Sequence, residues 1–323
     1  MVRLRREFSI DERELREVYC QALIDAAAAD DRVFALDCDL SSSVGTGPFV
    51  KRFPERHLNC GIQEANACGV AAGLSRRGFV PFLHTFGVFA SRRILDQVYI
   101  SCGFAGLNVK IVGADPGVTA AVNGGTHMAL EDGGIFRLVP GSTVLEPSDP
   151  VMMAQLTRRM AEHEGVDYLR MARKKAVRLY EYDSTFEIGK AAMLREGTDV
   201  TLIAAGIMVY EALKAADRLN AEGIQATVVD MFTVKPLDVD TVIACARRTG
   251  AVVTAENHNM IGYLGSAVAE ALGEHCPVPL ERVGVPDCFG EVGSQEYLMA
   301  RFELTDEAIC QKARRAIGRK IHR

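Results

Sequence analysis

Along the chain, short runs of β-branched and aliphatic residues alternate with longer stretches whose apolar positions recur at helical spacing. Continuous apolar strands between amphipathic helices are the pattern of parallel sheets covered by helices, because crossover helices bury both faces of such a sheet. In the first half this pattern predicts helices over residues 15–29, 63–76, 88–102 and 150–162, and strands over 33–37, 79–84, 109–112, 143–146 and 168–171. Residues 114–134 read as a long glycine-containing loop, and a loop of that length inside a compact domain tends to be functional. A charged, irregular stretch over 173–197 reads as a linker. Beyond it DVTLIAAG, QATVVDM and AVVTAEN read as strands, with helices over 209–221 and 239–248 and another beginning near Leu264. Residues 305–319 form a further amphipathic helix, which Thr305 is placed to cap. The expected fold is α/β in two domains, residues 1–190 and 191–323, each a mainly parallel sheet covered by helices. A chain of 323 residues is longer than one ordinary core supports.

Composition narrows the function classes. Hydrophobic residues make up 48% and charged residues 24%, an ordinary balance for a globular protein. With a formal net charge of −5 and no stretch combining basic with stacking aromatic residues, nucleic acid is not an expected partner. No window approaches the roughly 18 uncharged apolar residues of a membrane span, so no membrane partner is expected either. The nine cysteines are odd in number, scattered and never in C-x-x-C spacing, as expected of reduced thiols in a cytoplasmic protein. Phosphate-cradling and nucleophile-elbow motifs are absent. The nearest approach to a glycine-rich loop, Gly45-Thr46-Gly47, runs into Pro48.

Five segments carry the chemistry: NCGIQEANACGVAAGL from Asn59, PFLHTFGVFASRR from Pro81, NGGTHMALEDGGIFRLVPG from Asn123, DMFTVKPLD from Asp230 and VTAENHNMIGYLGSAVAEAL from Val253. In this order they resemble the pyrimidine-binding and C-terminal domains of the transketolase family. Deoxyxylulose-phosphate synthases and the β chains of 2-oxo acid dehydrogenases share those two domains.

That resemblance implies thiamine diphosphate as cofactor and gives particular residues expected roles. Glu64 matches the glutamate that hydrogen-bonds the pyrimidine N1′ and favours the imino tautomer; by residue type alone, an acid in a first helical turn equally complements the helix dipole. Phe86 and Phe89 match the aromatic walls around the pyrimidine, with plain core packing as the competing reading. His127, after a glycine pair in the long loop, matches the histidine that contacts the donor's hydroxyls, where a neutral imidazole donates or accepts a proton. Arg16, Ser43 and Arg173 fall where the family places its acceptor-phosphate contacts, a use that suits guanidinium groups; the two arginines read equally well as surface charges. Asp39, at the C-terminal end of the first predicted strand, matches aspartates near the cofactor across a subunit interface, or simply forms a turn. Departures lie at Asn123, where the family usually has an aspartate reading a sugar hydroxyl, and at Arg92, where many relatives carry tyrosine or an acid. The phosphate-contacting histidine expected near Asp115-Pro116 is missing. Glu256, Asn257 and His258 form no comparable cluster, and the resemblance gives their domain a chiefly structural role.

Diphosphate and Mg²⁺ require oxygen ligands, held in this family by a glycine-aspartate-glycine motif that the sequence lacks, so no metal ligand is assigned here. The resemblance therefore implies a split-gene enzyme. An N-terminal transketolase subunit would hold Mg²⁺ and the diphosphate, and two copies of each chain would form a heterotetramer. The expected reaction is transfer of a two-carbon ketol unit between sugar phosphates. A 2-oxo acid decarboxylating subunit and a non-catalytic assembly subunit are the alternatives.

Overall fold

The computed structural model describes residues 2–320. Strand β1 (Leu4–Ile10) leads into helix α1 (Leu15–Ala29), strand β2 (Val33–Asp37), short helices α2 (Ser41–Val44) and α3 (Gly47–Arg52), strand β3 (His57–Asn59) and helix α4 (Glu64–Arg76). Then come β4 (Val80–Phe86), α5 (Gly87–Arg92), a π-helical stretch over Gln97–Phe104 and β5 (Val109–Ala114). Two 3-10 turns, Gly117–Asn123 and Gly125–His127, precede α6 (Asp132–Arg137), β6 (Thr143–Leu145), α7 (Pro150–Glu162), β7 (Val166–Met171) and β8 (Val177–Tyr180). The second half runs β9 (Ala192–Arg195), β10 (Val200–Ala204), α8 (Met208–Ala221), β11 (Ala226–Asp230), β12 (Thr233–Lys235) and α9 (Val239–Thr249). It ends with β13 (Val252–Asn259), α10 (Leu264–His275), β14 (Leu280–Val285), α11 (Gln295–Arg301) and α12 (Asp306–Gly318).

Two mainly parallel sheets result, as the alternation of patterns predicts. The first has the order β12-β6-β7-β5-β4-β2-β3, and the second β14-β13-β10-β11-β9. In each, one edge strand runs antiparallel: β12, which reaches back from the second half of the chain, and β9. Every residue of β5 and β7 is buried, including the charged Lys110, Asp167 and Arg170, which are paired inside the protein. Local signals set the helix ends. Asp149 accepts from Met152 N at 2.8 Å with Pro150 opening α7, and Thr305 Oγ1 accepts from Ala308 N at 3.2 Å at the start of α12.

Three expectations need correction. Residues 173–197 are not an irregular linker, since they contain β8, paired antiparallel with β1, and β9. These strands sit at edges with one face open, so their charged residues hide the strand pattern. The helix predicted over 88–102 is interrupted: α5 stops at Arg92 and a wider π-helical stretch follows, turning Val98 and Cys102 inward while Tyr99 and Ile100 stay exposed. The loop over 114–134 is ordered into two 3-10 turns and yields to α6 at Asp132.

The halves share their interior. One apolar cluster runs from Leu36, Ala71 and Leu83 around the first sheet, through the stacked rings of Phe136 and Tyr168, to Ile203, Val252 and Leu264 around the second. At this junction Arg170 is fully buried. Its Nε and Nη2 donate to the two carboxylate oxygens of Asp132 at 2.9 and 3.0 Å, and Nη2 also donates to the Asn257 carbonyl at 2.9 Å. Nη1 lies 2.7 Å from Glu146 Oε1, and the hydroxyls of Tyr168 and Tyr263 donate to Asp132 and Glu146. Burial alone would raise the Asp132 carboxyl, but Arg170 outweighs it and holds the group below the usual range. Removing one member of such a network strands the others as unpaired buried charges. Arg170→Met is therefore expected to lower stability by about 3–5 kcal/mol in urea unfolding; a loss under about 1 kcal/mol would mean the network is not what joins the halves.

Candidate active site

Four of the residues singled out in the sequence, Glu64, Phe86, Phe89 and His127, lie where β4 ends and α4 begins. Phe86 is the last residue of β4 and Phe89 lies one turn into α5, so their rings meet at 6.2 Å in an edge-to-face arrangement. His127, on the second 3-10 turn, completes a three-ring group, 5.8 Å from Phe86 and 5.4 Å from Phe89. Glu64 opens α4 and is buried, with the Thr85 hydroxyl 3.4 Å from Oε1. Between Glu64 and the rings lies a residue that sequence reasoning missed. Arg93 Nη1 contacts both Glu64 oxygens at 3.1 and 3.0 Å while its guanidinium stacks 3.8 Å from the Phe89 ring centre. Its spacing four residues after Phe89 was the one available signal.

On the other side of the rings, Arg173 lies 5.1 Å from the Phe86 ring centre. Arg173 Nη1 and Arg16 Nη1 both donate to the Ser43 carbonyl, at 2.9 and 3.0 Å. That carbonyl is fixed by the α2–α3 segment, which Thr46 ties to buried Asp37 at 2.8 Å. Asp39 stays outside this group. It is exposed, with a φ of +60°, and exchanges hydrogen bonds with Asn59 at the sheet edge. Asn123 is exposed at the end of the first 3-10 turn. Arg92 points away from Glu64: its Nη2 donates to the Thr126 carbonyl at 3.2 Å and its Nε lies 3.0 Å from Glu131, clamping the turn that carries His127.

The second half of the chain moulds this loop. Asn257 accepts from Val118 N at 2.8 Å and donates to the Pro116 carbonyl at 3.0 Å. Gly117, at φ +57°, has no room for a side chain, because a Cβ there would sit 2.2 Å from Asn257 Oδ1. Gly125 is pressed against the Gly290 carbonyl in the same way. Asp115 and Ala121 carry positive φ without being glycine, strain of the kind that collects at functional sites. Among the described residues no three His, Cys, Asp or Glu side chains are grouped to hold a metal ion, and no helix is long and apolar enough to cross a membrane.

Comparison with known proteins decides the family. Residues 11–177 match the transketolase pyrimidine-binding domain and residues 189–309 the transketolase C-terminal domain. The chain belongs to the transketolase family. It is 50% identical over 317 residues to the 6-deoxy-6-sulfo-D-fructose transketolase subunit SqwH of Clostridium sp. strain MSTE9, covering 98% of both chains. An apulose-4-phosphate transketolase subunit of Phocaeicola vulgatus is 36% identical, over 92% of this chain and 96% of the relative. Among solved structures, a split-gene transketolase described as an inactive beta4 tetramer superposes with a TM-score of 0.90 at 42% identity, covering 96% of this chain and all of the other.

In the interior of this transketolase-family chain, buried Glu256, Asp230 and His258 are shifted from their usual range. Burial pushes Glu256, which accepts from Gly265 N at 3.1 Å, up to about 8, and Asp230 up to about 7. Burial and neighbouring Arg170 push His258 down to about 4. A raised carboxyl helps the fold below its unfolded pKa and loses that contribution as pH climbs to the folded value. The depressed histidine acts oppositely, costing stability only as pH drops below about 6.5. From about pH 6.5 to 8 the histidine no longer contributes, and the two raised carboxyls are expected to make stability decline. Glu256→Gln is expected to flatten that decline in urea unfolding measured against pH; an unchanged slope would remove Glu256 as its source.

Proposed function

We propose that this chain is the pyrimidine-binding and C-terminal subunit of a split, thiamine diphosphate-dependent transketolase. It moves a two-carbon ketol unit between sugars with an anionic end group, in a heterotetramer whose N-terminal subunit holds Mg²⁺ and the diphosphate. The terminal anion is a phosphate or, as in the name of the Clostridium relative, a sulfonate. The observation that carries the reading is the meeting of the Phe86, Phe89 and His127 rings, with Glu64 joined to Phe89 through Arg93, although these residues come from three separate stretches of chain. A buried carboxylate beside aromatic walls fits an aminopyrimidine, which offers a flat ring to the phenylalanines and a ring nitrogen to the acid.

When bound, thiamine diphosphate supplies a nucleophilic carbon and an electron sink for the transferred unit. Glu64 holds a proton at the pyrimidine nitrogen, and Arg93 and Thr85 keep its carboxylate in place. Phe86 and Phe89 exclude water from the reacting carbon. His127 passes protons to and from the donor's hydroxyls, steadied by Arg92 on its turn. Asn123 reads a sugar hydroxyl. Arg16, Arg173 and Ser43 seat the terminal anion, and exposed Asp39 meets the cofactor across the subunit interface. Exposed Leu58, Ile62, Tyr99, Ile100 and Phe104 support burial of this side in the assembly.

Calorimetric titration of thiamine diphosphate with Mg²⁺ is expected to show binding only when the N-terminal subunit is present; tight binding to the isolated chain would overturn a cofactor site shared between subunits. In the assembled enzyme, Glu64→Gln is expected to slow ketol transfer by about 100-fold or more, the scale of a lost general acid–base group. Transfer near the unmodified rate would sink the proposed role, and decarboxylation of pyruvate in place of ketol transfer would assign the site to the 2-oxo acid enzymes.

A further inference from the structure

This inference rests on the proposed cofactor site and concerns Arg93, which stands inside it. Glu64 opens α4 and is 3% exposed, so its charge needs a partner within the protein. Arg93, at the end of α5, is that partner: its Nη1 lies 3.1 and 3.0 Å from the two carboxylate oxygens. Its guanidinium also lies over the Phe89 ring, 3.8 Å from the centre. Among the described residues no other cation pairs with Glu64, and the Thr85 hydroxyl adds only a longer contact of 3.4 Å. Neighbouring Arg92 is occupied elsewhere, on Glu131 and the Thr126 carbonyl.

These are the two contacts that the proposed site asks of an aminopyrimidine, a nitrogen at the buried carboxylate and a flat face against a phenylalanine. A guanidinium is planar, carries N–H donors and stacks on aromatic rings, so it satisfies both in place of the ring. Unlike Glu64, Arg93 is free to withdraw, because its side chain is 48% exposed and its long stem has a route to water. We propose that Arg93 is a placeholder for the pyrimidine. It keeps Glu64 paired and Phe89 covered until thiamine diphosphate arrives, then yields the Phe89 face and one Glu64 oxygen while keeping to the other oxygen. A placeholder and a side chain that only steadies Glu64 differ in the sign of their effect. Steadying alone helps the cofactor bind. A placeholder weakens binding and slows it, since a charge-assisted hydrogen bond and a cation–π contact are given up first.

The test uses this chain assembled with its N-terminal subunit and compares the unmodified protein with Arg93→Met. Methionine keeps much of the apolar stem and has no N–H to donate, and thermal unfolding verifies the fold. Calorimetry with saturating Mg²⁺ gives the dissociation constant for thiamine diphosphate, and stopped-flow mixing gives the association rate against cofactor concentration. Arg93→Met is expected to bind the cofactor about tenfold more tightly, equivalent to about 1.4 kcal/mol, with a higher limiting association rate. Without cofactor the variant is expected to unfold at a lower temperature, because Glu64 is left unpaired, and to gain more from added cofactor than the unmodified protein does. Unchanged or weaker affinity in a folded Arg93→Met overturns the proposal and leaves Arg93 only steadying Glu64. Tighter affinity with an unchanged limiting rate also overturns it, because the gain then comes from removing a positive charge rather than a competitor. No binding by the unmodified assembly defeats the cofactor site itself, whereas binding there with either contrary result in the variant defeats this inference alone.

Discussion

Arg170 stands in the middle of a strand where every neighbour is buried, and its charge is tolerable only because Asp132, Glu146 and the Asn257 carbonyl surround it. These partners come from the start of α6, the residue after β6, and β13, so satisfying one guanidinium fixes three pieces of chain drawn from both halves of the molecule. Desolvation makes the arrangement all or nothing, since each partner is costly alone. The loop over residues 115–131 is strung between β5 and Asp132. Its geometry therefore inherits the placement of this network, and Asn257, beside it on β13, grips the loop at Pro116 and Val118.

The same device recurs around the site. Arg93 holds Glu64, Arg92 holds Glu131 and the Thr126 carbonyl, and Arg173 holds Asp115. Planar guanidinium groups suit the task, because a fork of donors fixes direction as well as distance and one face remains free to lie on an aromatic ring. Arg93 uses both features at once, on Glu64 and Phe89. The carboxylates nearest the proposed chemistry thus have defined directions, the preorganisation on which electrostatic catalysis depends.

Much of the fold was written in local pattern. The helices over residues 15–29 and 150–162 and the strand over 33–37 have the same limits in sequence and structure, because apolar periodicity and capping residues act within a few positions. Polar edge strands were not legible: β1 and β8 are strands because they pair with each other, and nothing within either segment announces that partner. Nor was the break after Arg92, which answers to the packing of Val98 and Cys102 rather than to any helix-stopping residue.

The sequence by itself determined the transketolase family, the α/β architecture and the identity of the segments around Glu64, Phe86, Phe89 and His127, since these depend on residue type, order and short-range spacing. Tertiary structure alone decided which side chains meet. It placed Arg93 between Glu64 and Phe89, turned Arg92 toward Thr126, joined Arg16 and Arg173 at the Ser43 carbonyl, and enclosed Asp115 beside them. The physical reason is that charge pairing and desolvation depend on distance in space and on exclusion of water, and neither quantity exists until the chain has folded.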